Sequence, residues 1–216
     1  GVSHANPPDA VRIGTVGPVI PGVECVLGRG DEVLVRGPQV FVGYLHNQEA
    51  TRETVDADGW LHTGDVGAID EDGYLLITGR IKDIIITAGG KNLSPEQIEN
   101  QMKTSPYIKE CVAIGDGRKF ISALIQIDAD NVGDWASRQG VAYTSFQDLA
   151  SKDEVVQLID GEVRRCNEGL ARVEQVRAFR LLPKELHQDD EELTATQKVR
   201  RTAFYERYAD LIEEMY

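Results

Sequence analysis

Over residues 11–80 the hydrophobic positions come in short runs separated by turn residues. The runs GTVGPVIPGVECVLG, DEVLVRGPQVFVGYL and VGAIDEDGYLLITGR predict β-strands. Within the last of them AIDEDGYLLI predicts a hairpin, because Asp70–Gly73 supplies the turn and period-2 runs lie on both sides. Between these strands NQEATRETV predicts a short helix and DADGW a loop.

The pattern changes after Gly79. DIIIT predicts a short, wholly apolar strand, and SPEQIENQMKTS opens with helix-start chemistry: Ser94 can cap, Pro95 suits the first helical position and Gln97 completes a capping box. Two strands follow, KECVAIG and FISALIQI, joined by the tight DGRK turn. Residues 129–139 and 152–172 have helical spacing, VRAFRLL predicts another strand, and RRTAFYERYADLIEEMY predicts one amphipathic closing helix. The expected class is therefore α+β, with a junction near Gly79–Lys82 between a mostly β part, residues 1–79, and an α+β part, residues 80–216.

Composition narrows the partners. The 36 acidic residues exceed the 23 basic ones, for a formal charge of −13 among 216 residues, so long-range attraction to a nucleic-acid backbone has the wrong sign. Cys25, Cys111 and Cys166 stand far apart with no CxxC, which fits packing residues in a reducing compartment. The first residues carry neither an initiator Met nor an apolar signal core, so the chain is expected to be cut from a longer one. No apolar run reaches the roughly 20 residues that span a bilayer.

Candidate chemistry starts with TAGGKNLSPEQIE, residues 87–99, where a glycine pair precedes lysine. A Walker A loop in this register needs glycine at 85 and a hydroxyl at 92, where Ile85 and Asn92 stand. No G-x-G-x-x-G bridges a strand and a helix, and a calcium loop read through DEDG puts Ala68 and Gly79 in its first and last ligand positions. By spacing alone Gly89–Gly90 is a tight turn, Asp65 a strand-end turn residue, and Lys82, Lys91 and Lys198 solvated cations. His4, His46, His62 and His187 show no ligand spacing, so no metal is assigned to protein side chains.

Taken together, GWLHTGDVGAIDEDGYLLITGRIKDIIITAGGKNLSPEQIE and the later LTATQKVRR resemble the adenylate-forming acyl-CoA synthetases, and GRIKDIIITAGGKNLSP is most similar to their long-chain fatty acyl branch. The resemblance implies two steps. ATP and a fatty acid give an acyl-adenylate and pyrophosphate, then coenzyme A displaces AMP after a small domain has swung. It further implies that residues 1–79 end the large domain and residues 80–216 form the mobile one. Asp65 and Arg80 would then hold the nucleotide ribose, Lys82 would be the hinge, and Lys198 would be the catalytic cation of adenylation. Gly89, Gly90 and Lys91 would line the passage for the coenzyme A arm. Magnesium would travel with the ATP phosphates, bound mainly by residues upstream of Gly1, and the location would be cytoplasmic, with peripheral membrane association. Two other readings of the same scaffold are an acyl-AMP ligase that loads a carrier protein and a noncatalytic binding module.

Overall fold

A computed structural model describes residues 1–187, 190–193 and 199–216. The chain divides into two units, Gly1–Ile84 and Ile85–Tyr216, so Arg80 and Lys82 belong to the first.

The first unit carries β1 (Gly17–Pro18), β2 (Glu24–Leu27), β3 (Glu32–Arg36), helix α1 (Gln48–Thr54), β4 (Leu61–Ile69) and β5 (Tyr74–Arg80). The strands form one antiparallel sheet in the order β1-β5-β4-β3-β2. Alternation in EVLVR does what period 2 requires: Val33 and Val35 are buried and, with Leu75, form a small core on which Val23, Cys25 and Ile77 pack. The expected hairpin is present, with Ile69 opposite Leu75 and the Asp70 carboxylate accepting from the Asp72 and Tyr74 amides at 3.0 and 2.9 Å. Helix α1 starts where Asn47 accepts a bond from the Ala50 amide.

The second unit holds β6 (Ile85–Ile86), β7 (Asn92–Leu93), α2 (Pro95–Met102), β8 (Ile108–Ile114), β9 (Ile121–Ile127), α3 (Ala129–Gln139), α4 (Phe146–Ala150), α5 (Asp153–Asn167), β10 (Val176–Leu181), α6 (Arg201–Arg207) and α7 (Ala209–Glu213). Its main sheet runs β10-β9-β8, with β10 parallel to β9 after the crossover through α3, α4 and α5, and β8 antiparallel. Every residue of β9 is buried because both faces of this central strand are covered. Ile121, Ala123, Ile125 and Ile127 join the core shared with Ile98, Met102, Val132 and Ile159, whereas Leu124 on the other face joins Phe204, Tyr208, Ile212 and Met215. Cys111 and Cys166 are buried in the first of these cores.

Four details depart from the sequence pattern. DIIIT pairs over two residues only, because Asn92–Leu93 folds back on Ile85–Ile86, so the glycine pair turns a hairpin instead of joining a strand directly to a helix. The helix expected to reach residue 172 stops at Asn167, whose side chain exchanges bonds with both the N–H and the C=O of Val176, each at 2.9 Å. Helix α4 was not anticipated; Ser145 caps it by accepting from the Asp148 amide, and five residues are too few to display a period. The closing helix breaks at Tyr208, which leaves helical geometry at φ −109° and ψ 22° while its ring packs on Phe204.

Candidate functional site

The TGD triplet lies in β4 and is bent by its middle residue. Gly64 has φ +70°, a region costly for residues with a Cβ, and its N–H donates to the Glu32 carboxylate at 3.1 Å. The same carboxylate meets His62 Nδ1 at 3.0 Å, and the Thr63 hydroxyl donates to the Val33 carbonyl at 2.7 Å while accepting from the Asp65 amide at 3.1 Å. Glu32 was not singled out in the sequence: only the β3–β4 pairing brings it, 32 residues away, under Gly64.

Right after this bend Asp65 stands opposite Arg80. The two are cross-strand partners in β4 and β5, and Arg80 Nε lies 3.0 Å from Asp65 Oδ1. Beside them opens a cleft of about 740 Å³, lined by Glu32, Thr63, Gly64, Arg80 and Lys82 among others. Lys82 sits in a 3-10 turn, Ile81–Asp83, close before the end of the first unit. Chemically, a partly exposed carboxylate paired with a guanidinium that lines the cleft can accept from and donate to vicinal hydroxyls.

The glycine pair belongs to the second unit. Gly90 has φ +73° and donates to the Thr87 carbonyl at 2.8 Å, and Thr87 in turn donates to the Lys91 carbonyl at 3.0 Å. The hairpin is also sewn to the β8–β9 turn: Ala88 N–H donates to the Arg118 carbonyl and Gly117 N–H to the Ile86 carbonyl, both at 2.8 Å. A Cβ at Gly89 would meet only Thr87 Oγ1, at 3.9 Å, so the space over this residue is open.

Next to it runs a groove of about 550 Å³ whose lining includes Gly89, Lys91, Lys119, Phe120, Arg172 and Arg177. Among the described residues no Asp or Glu lines this groove, and none of its cations forms an ion pair. On a chain of net charge −13 this is a local reversal of sign. Lys119, Arg172 and Arg177 were missed in the sequence because they come from separate segments that only the sheet brings to one edge.

Lys198 lies outside the described residues. Of its flanks, Leu193 bridges Val199 and the Arg200 amide donates to the Glu192 carbonyl at 2.7 Å. Arg201 then reaches Glu99 of α2 at 2.7 Å, and together they occupy the free edge of β8. The Ala113 amide donates to Glu99 at 2.9 Å, and Arg201 and Tyr205 donate to the Ala113 carbonyl at 3.3 and 3.4 Å. Burial pushes the Glu99 carboxyl above its ordinary value, opposed by the charge of Arg201. Among the described residues no group of three or more His, Cys, Asp or Glu could hold a metal ion.

Residues 82–216 match the family described as AMP-binding enzyme C-terminal domain. The chain belongs to this family. A curated relative, the long-chain-fatty-acid–CoA ligase FadD15 of Mycobacterium tuberculosis, is 44% identical over 207 residues, covering 95% of the chain and 34% of the relative. Among solved structures, the adenylation domain of a carboxylate reductase from Mycobacterium chelonae shares the fold at TM-score 0.77 and 21% identity, over 100% of this chain and 34% of that one. ATP-bound MatB from Rhodopseudomonas palustris aligns at TM-score 0.64 and 29% identity, over 97% of this chain and 39% of its own. The chain thus spans about a third of the length of these curated relatives.

Proposed function

We propose that this chain is the C-terminal part of an AMP-forming ligase that activates a long-chain fatty acid with ATP and transfers it to coenzyme A. The observation that carries the reading is the Asp65–Arg80 pair, 3.0 Å apart across β4 and β5 beside an open cleft. Asp65 accepts bonds from the ribose hydroxyls of the adenylate, and Arg80 donates from the same edge; charge-assisted bonds of this kind are the stronger ones. The 44% identity to a long-chain-fatty-acid–CoA ligase supports the substrate class.

In this reading the first unit ends the large domain, Lys82 is the hinge and the second unit is the mobile lobe. Lys198 stabilises charge building on the α-phosphate and the attacking carboxylate as the acyl-adenylate forms. After the lobe swings, the open backbone at Gly89 lets the thiol arm of coenzyme A pass. The groove cations Lys91, Lys119, Arg172 and Arg177 hold its phosphates. Magnesium accompanies the ATP phosphates. The enzyme works in the cytoplasm at the periphery of membranes, where long-chain acids partition; among the described residues no helix is long and apolar enough to cross one.

The test uses the full-length polypeptide. ATP–pyrophosphate exchange that depends on a long-chain fatty acid, followed by acyl-CoA formation when coenzyme A is added, is the expected result. Exchange without transfer to coenzyme A would instead favour loading of a carrier protein, and absence of exchange would leave only a binding module.

A further inference from the structure

The hairpin that carries the glycine pair has little support of its own, since β6 and β7 pair over two residues each. Its backing is the β8–β9 turn, through Ala88 N–H to the Arg118 carbonyl and Ile86 N–H to the Asp116 carboxylate at 3.0 Å. That turn is in turn gripped by the end of the chain. The Tyr216 hydroxyl donates to the Ile114 carbonyl at 3.0 Å and accepts from the Ser122 hydroxyl at 2.8 Å. Ile114 and Ser122 are the cross-strand partners at which the β8–β9 ladder ends and the turn begins. The Tyr216 ring packs on Phe120, with centroids 4.9 Å apart, and the Arg118 guanidinium lies 4.5 Å over the same ring while paired to Glu213. Burial pushes the Tyr216 hydroxyl up, so it keeps its proton and remains a donor.

We propose that Tyr216, with Arg118 and Glu213, is a positioning latch for the thiol-substrate groove: it fixes the turn that presents Lys119 and Phe120 to the groove and holds the glycine hairpin from behind. Tyr216 does not line the groove; it acts through Phe120 and the Arg118 carbonyl. The inference rests on the reading of that groove as the coenzyme A site. Releasing the latch lets the hairpin and Lys119 drift by a fraction of an ångström, which weakens coenzyme A capture without touching the nucleotide cleft of the first unit.

The experiment measures both half-reactions in the full-length protein. Tyr216→Ala is expected to raise the KM for coenzyme A about fivefold to tenfold, while fatty acid-dependent ATP–pyrophosphate exchange stays within about twofold. Tyr216→Phe, which keeps the stack and loses the hydroxyl bonds, should give a smaller rise, as should Glu213→Gln at the exposed end of the latch; these two retain a measurable KM if the alanine variant fails to fold. Lys119→Glu is the control for the groove itself. If Lys119→Glu raises the KM and the Tyr216 and Glu213 variants do not, or if they depress exchange and thioester formation in equal proportion, the latch is refuted. If Lys119→Glu leaves the KM unchanged, the groove reading fails instead.

Discussion

At the scale of single residues, Asp65 and Arg80 meet as cross-strand partners of β4 and β5. Just before Asp65 the chain takes φ +70° at Gly64, and Glu32 accepts from the Gly64 amide at that point. The ion pair itself is half exposed and adds little to stability, so removing Asp65 should leave the fold intact. Asp65→Ala is expected to lower fatty acid-dependent ATP–pyrophosphate exchange about tenfold to hundredfold, as loss of charge-assisted bonds to a bound nucleotide requires, with unchanged thermal unfolding. An unaltered exchange rate would remove Asp65 from the site. Both residues could be picked out in the sequence because their motifs are contiguous. Glu32 could not, because its neighbours in sequence, Asp31 and Val33, carry no hint that a strand 30 residues later will pass beside it.

At the scale of elements, helix α2 shows how far local chemistry reaches. Ser94 accepts from the Gln97 amide and Pro95 opens the first turn, as the sequence pattern requires. What α2 does with Glu99 is decided elsewhere: its carboxylate caps the open edge of β8 and pairs with Arg201 of α6. An edge strand left with an unmet N–H at Ala113 is destabilised, and Arg201 would lose its buried partner, so Glu99→Ala should destabilise the second unit by about 3 kcal/mol. Chemical denaturation followed by Trp135 fluorescence in a Trp60→Phe background reads this unit, and a loss close to zero would show that the pair contributes nothing. The same contact joins α2, which follows the glycine hairpin, to α6, which begins three residues after Lys198 in the sequence.

At the scale of the whole molecule, the division into Gly1–Ile84 and Ile85–Tyr216 separates the two candidate sites. The Asp65–Arg80 pair lies in the first unit, and the glycine turn with its cationic groove lies in the second. Lys198→Ala in the full-length protein is therefore expected to lower acyl-adenylate formation about 100-fold to 1000-fold, with much less effect on thioester formation from supplied acyl-adenylate. Gly89→Trp should do the reverse, and it should fold, because the space over Gly89 is open within the unit. Equal damage to both half-reactions by either variant would refute the division of labour between the two segments. The sequence by itself determined what short-range rules can reach: the hairpin at Asp70–Gly73, the capped start of α2, the apolar run of β9 and the contiguous motifs around Asp65, Arg80 and Gly89. Only the tertiary structure decided that Glu32 holds the TGD bend, that Glu99 and Arg201 close a sheet edge, and that Lys119, Arg172 and Arg177 gather on an acidic chain beside a glycine turn. The physical reason is that strand register and crossover connections set which distant side chains become neighbours, and neither leaves a mark in the local spacing of residues.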